Sequence, residues 1–177
     1  PCLYLGDKVA SYKDVREQTS QLVQALQSKG LGKGSRVAII SANRPEVLSN
    51  IAAMQLTGCI GTPLHPLGSL DDHAYVLEAA EIETLVFDAS VFSEIAAALK
   101  ARVPGLKNLL GFGPNEVGDD YLAIAESFSP KPLVAPEVSA GDIASVNFTG
   151  GTTGKPKGVM STHRVSAYMT QIQMAEW

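Results

Sequence analysis

The sequence predicts an α/β fold with a mainly parallel sheet and helices on both faces. Three observations carry this. Helical stripes alternate with short apolar runs, the connections between them are short, and the runs are continuous rather than alternating, as strands covered on both faces require. With 177 residues the chain fits one domain and can bury a core of its own.

Taken in order, Ser11 and Asp14 have capping-box spacing, and Val15, Leu22, Val23 and Leu26 recur at helical intervals until Gly30 offers a stop. Val37 to Ile40 suits a strand buried on both sides. Asn43 is placed to cap the next helix, with Pro45 in its first turn and Val47, Leu48, Ile51 and Met54 facing the core. Cys59 to Thr62 forms a short strand before the rigid Pro63–Pro66 segment. Ser69 and Asp72 cap a helix carrying Leu70, Ala74 and Leu77, and Leu85–Phe87 follows as a strand. Phe92, Ile95, Ala96, Leu99 and Val103 make a helical stripe ended by Pro104-Gly105, and Leu109–Phe112 is a further strand. From Gly113 to Ala140 four prolines surround a short helix near Tyr121 to Phe128, an excursion within one domain. Val165, Met169 and Ile172 mark a last helix with no stop signal before Trp177, while the chain opens at Pro1, so it reads as part of a longer protein.

Composition excludes several functions. A net charge of −4, from 18 acidic and 14 basic residues, gives no footprint for nucleic acid or an anionic membrane. No apolar run approaches the ~20 residues of a bilayer span, and no secretory signal is visible. Cys2 and Cys59 have no metal or redox spacing, which points to reduced thiols and a cytoplasmic protein.

One segment carries chemistry. Ala144, Val146 and Phe148 alternate with polar residues as a strand does, and the sequence then runs Thr149-Gly150-Gly151-Thr152-Thr153-Gly154-Lys155-Pro156-Lys157-Gly158. Glycines let backbone amides approach a ligand, and successive amides form an anion-binding nest. Threonine hydroxyls add donors, the lysines bring charge for a polyphosphate, and Pro156 stiffens the basic end. A Walker A loop is excluded: three residues separate Gly150 from Gly154, and Pro156 stands where Ser or Thr is required. The dinucleotide fingerprint G-x-G-x-x-G is also absent.

This string resembles the signature phosphate loop of the adenylate-forming (AMP-binding) enzymes, which include acyl-CoA synthetases and the adenylation domains of peptide synthetases. The family usually has Ser at the position of Gly150. Weaker likenesses cover most of the chain: Ser11–Val15, Gly34–Ile39, Asn43–Glu46, Gly58–Pro66 and Asp142–Ala144. The resemblance implies that 1–177 is the first part of the large N-terminal AMP-binding domain, truncated at its C-terminal side. It implies a parent ligase of acid–thiol type, in which a carboxylate attacks the α-phosphate of ATP and coenzyme A then displaces AMP. Residues Thr149 to Lys157 would bind the ATP phosphates. ATP, Mg2+ and coenzyme A would be the cofactors, a fatty acid the expected substrate, and a homodimer one assembly to test. A carrier-protein-loading domain and a non-catalytic binding module are the alternatives. The family's adenine and ribose motifs, magnesium ligand and catalytic lysine come later than Trp177, so no catalytic residue is assigned here.

Lesser candidates have plainer roles. His163 suits a structural bond at a helix start, and His65 and His73 are too dispersed to argue a metal site. The pairs Asp71-Asp72 and Asp119-Asp120 read as helix caps, and Arg44 and Arg164 as solvated surface arginines.

Overall fold

The structure is a computed structural model and describes residues 1–150 and 155–176. A hairpin of β1 (Leu3–Leu5) and β2 (Lys8–Ala10) comes first, followed by α1 (Tyr12–Ser28), β3 (Arg36–Ile40), α2 (Pro45–Thr57) and β4 (Ile60–Pro63). Then come α3 (Leu70–Ala79), β5 (Thr84–Asp88), α4 (Ala89–Arg102), β6 (Asn108–Phe112), β7 (Asp119–Asp120) and α5 (Tyr121–Glu126). The described chain closes with β8 (Ile143–Thr149), β9 (Lys157–Thr162) and α6 (His163–Glu176). Among the described residues seven strands form one sheet in the order β7-β6-β5-β3-β4-β8-β9. Every neighbouring pair is parallel except β8–β9, which is antiparallel.

Alternation along the strands separates two cores. Ala38 and Ile40 of β3, with Leu85 and Phe87 of β5, pack under α3 and α4. Val37 and Ile39, with Val86 and Leu110, pack under α1, α2 and α5. The sheet is therefore covered on both sides from β6 to β4, and its strands read as continuous apolar runs for that reason.

Local signals hold where they rest on neighbouring residues. Ser11 with Asp14 and Ser69 with Asp72 both form reciprocal capping boxes. Asp120 caps α5, whereas Asp71 pairs with Arg102, and Asp119 pairs with Lys29 at 2.8 Å.

Two expectations, both about α2, need correction. Arg44, not Asn43, is the N-cap of α2, and it makes no side-chain capping bond. Pro45 at the first turn already lacks one of the orphan donors a cap would serve. The buried face of α2 is Ser49, Asn50, Ala53, Met54 and Thr57, while Leu48 and Ile51 are exposed. Small Ser49 and Ala53 let α2 lie close to its neighbours, and Leu48 and Ile51 instead line a groove with Leu3 and Leu5 of the hairpin. The hairpin itself is signalled only by Gly6, whose φ of 56° makes the tight reversal.

Candidate functional site

The glycine-rich segment lies at the outer end of the β8–β9 ladder. Asn147 pairs with Val159, Phe148 with Gly158 and Thr149 with Lys157, so the two arms leave the sheet edge side by side. Their closeness depends on Gly158: a Cβ there would come within 3.0 Å of Val146 Cγ1 and 3.2 Å of the Phe148 ring. At Gly150, by contrast, a Cβ would meet no atom of the described residues within 4 Å. Of the nine expected phosphate-binding residues, Thr149, Gly150, Lys155, Pro156 and Lys157 are described; Gly151, Thr152, Thr153 and Gly154 lie outside the described residues.

The arms are held from below by α3. Tyr75 Oη donates to the Pro156 carbonyl at 3.1 Å. Its ring meets Phe148 edge-on, with centroids 6.4 Å apart at 82°. Lys155 Nζ lies 5.0 Å from the centre of the same ring. Lys157, two residues on, begins β9 as an exposed residue.

Two depressions flank this contact. One of about 660 Å3 is bounded by the Pro63–Pro66 turn, His73, Phe148, Gly150 and Pro156. The other, of about 510 Å3, lies between Arg36, Tyr75, Lys155, Lys157 and Met160.

His73 is buried beneath the first depression, with Nε2 unpartnered among the described residues. Burial pushes its pKa below the usual imidazole value and so favours the neutral ring, a shift that nearby Asp72 only partly opposes. Gly68 lies flat against it, since a Cβ at Gly68 would come 2.7 Å from His73 Cε1. His163 opens α6 and donates its backbone N–H to the Asp142 carbonyl at 3.0 Å, a structural placement. Asp142 itself is tied to Lys33 at 2.8 Å, where the ammonium and the Ser139 amide hold its carboxyl below the usual range.

Arg44 is not a solvated arginine. It donates to Glu46 at 2.9 and 3.2 Å, to Asp88 at 2.9 Å and to the Phe112 carbonyl at 3.2 Å. Its guanidinium also stacks 5.3 Å from the Phe112 ring centre. With both carboxylates engaged, it joins the ends of β5 and β6 to α2 and has no charge left for an anion.

A family model described as AMP-binding enzyme matches residues 1–177. The chain belongs to this family. It is 44% identical to the medium/long-chain-fatty-acid–CoA ligase FadD8 of Mycobacterium tuberculosis over 183 residues, which cover 100% of this chain and 32% of the relative. The amide bond synthetase McbA of Marinactinospora thermotolerans superposes with a TM-score of 0.80 at 32% identity, over 92% of this chain and 32% of that one. An anthranilate CoA ligase, AuaEII, solved with anthranoyl-AMP, gives a TM-score of 0.85 at 22% identity over 94% of this chain and 32% of its own, a likeness of fold. The chain thus spans about a third of the length of the AMP-binding enzymes it matches. They share the mostly parallel α/β fold.

The sequence reading missed one residue at this site. Tyr75 lies 81 positions before Pro156, and it falls inside a helix whose Leu70, Ala74 and Leu77 already account for the helical stripe. Nothing in its local spacing marks it.

Proposed function

We propose that this chain supplies the ATP phosphate-binding loop of an acyl-CoA synthetase acting on medium- or long-chain fatty acids. The carrying observation is the Gly/Thr/Lys segment suspended between two antiparallel strands at the sheet edge. Thr149 at its start and Lys157 at its return, with the segment's backbone amides, would bind the β- and γ-phosphates. Their role is to stabilise charge growing on pyrophosphate as a carboxylate attacks the α-phosphate. The resulting acyl-adenylate then reacts with the thiol of coenzyme A, which releases AMP. The 44% identity to a fatty-acid–CoA ligase supports both the acid class and the thiol acceptor.

Magnesium would arrive on the ATP phosphates. Among the described residues no group of three His, Cys, Asp or Glu side chains is placed to hold a metal, so no step is assigned to this chain through one.

The test uses the full-length gene product. Fatty-acid-dependent exchange of pyrophosphate into ATP, together with acyl-CoA formation, is the expected result. Exchange without thioester formation would move the acceptor to a carrier protein. Absence of exchange with any carboxylic acid would overturn the assignment.

A further inference from the structure

Tyr75 touches both arms of the phosphate loop, although it belongs to a helix far away in sequence. Its hydroxyl reaches the Pro156 carbonyl, its edge contact meets Phe148 on the entering arm, and its ring face lies against Lys155 on the leaving arm. Proline has no N–H, so its carbonyl is the one backbone group through which Pro156 can be hydrogen-bonded. The bond from Tyr75 therefore fixes the loop where the ladder has just ended. Lys155 is drawn down to the ring by cation–π attraction.

We propose that Tyr75 is a positioning residue for ATP: it ties both arms of the loop to α3, through Phe148 on one side and through Lys155 and Pro156 on the other. The proposal rests on the assignment of the loop to the ATP phosphates. A ligand cradle that is already shaped loses less freedom on binding, so the effect belongs to the nucleotide and not to the carboxylic acid.

The experiment compares the full-length enzyme with Tyr75→Phe and Tyr75→Leu, measuring KM for ATP and for the acid separately in pyrophosphate exchange. Tyr75→Phe keeps the ring and loses only the Pro156 bond; it is expected to raise the KM for ATP about threefold, and Tyr75→Leu about tenfold, as one and then several modest contacts are lost. The KM for the acid should stay at the wild-type value in both. Wild-type ATP kinetics in both variants would overturn the proposal, as would parallel rises for ATP and acid. Should Tyr75→Leu not fold, the phenylalanine variant still decides through the same split. Amide hydrogen exchange at Lys157 and Gly158 gives a readout that needs no activity: faster exchange in the variants supports the tie, and unchanged exchange overturns it. If the wild-type enzyme activates no acid, the functional assignment falls while this exchange measurement still judges Tyr75.

Discussion

Lys155 and Lys157 are two residues apart and meet different surroundings. Lys155 is engaged by Tyr75, whereas Lys157 enters the ladder opposite Thr149. In the full-length enzyme Lys157→Ala should slow pyrophosphate exchange by roughly 10- to 100-fold, the range expected when a charge-assisted contact worth about 1.5–3 kcal/mol is lost. Lys155→Ala should cost several-fold less; equal losses would contradict the division between them. Arg44 gives a stability prediction at the same scale. Asp88 is 5% exposed and depends on Arg44 for its countercharge, so Arg44→Met should destabilise the chain by about 3 kcal/mol, seen as a lower denaturation midpoint. The same arginine holds the Glu46 carboxyl below its ordinary value of 4.5, chiefly through their hydrogen bond. That stabilisation is complete above pH 4.5 and is lost as pH falls through the lowered value. Acid melts of wild type should therefore steepen below pH 4.5, and those of Arg44→Met should lack this component.

At the scale of elements, legibility follows the range of the interaction. Ser69 and Asp72 are three residues apart, and their capping box is visible in sequence because both partners are local. Ser69→Ala should cost about 1 kcal/mol and fray the start of the helix that carries Tyr75, which helical circular dichroism on heating would report. The face of α2 was not legible. Its apolar residues suggested one orientation, but close packing against α1 selected the side with Ser49 and Ala53, and Asn50 was buried with them. Among the described residues, neither polar side-chain atom of Asn50 has a partner. An unpaired buried amide carries a desolvation penalty of about 1–3 kcal/mol, so Asn50→Leu, similar in shape, should raise the melting temperature. A lower one would show that the amide has a partner in solution.

For the whole molecule, the mainly parallel sheet with helices on both faces was legible, because continuous apolar runs and short connections leave few topologies. The glycine-rich segment was legible as a string. Its support was not, since Tyr75 and Pro156 meet only through the sheet order that places α3 beneath β8 and β9. The described far side of that edge remains apolar and open: Met160, Tyr168, Met169 and Met174 are all more than half exposed, and α6 buries no residue. With contacts to phosphate alone, the 177-residue chain should bind ATP weakly. Isothermal titration is expected to give a dissociation constant weaker than about 10 μM; tighter binding, worth roughly 7 kcal/mol or more, would reveal adenosine contacts within this third of the family's length.

The join between β4 and β8 rests on a single paired position, Gly61 with Ser145, whereas β8 and β9 pair along six. A hairpin with local pairing forms in microseconds, but docking it on β4 must first close the long chain between those two residues. The edge hairpin is thus a late arrival in folding, absent from the nucleus that β3 and β5 can build. Truncating its buried side chain, as in Val146→Ala, should leave the refolding rate nearly unchanged and accelerate unfolding. In a denaturant chevron only the unfolding limb would move, which would make the β8–β9 edge the part of the sheet that governs how long the native state lasts.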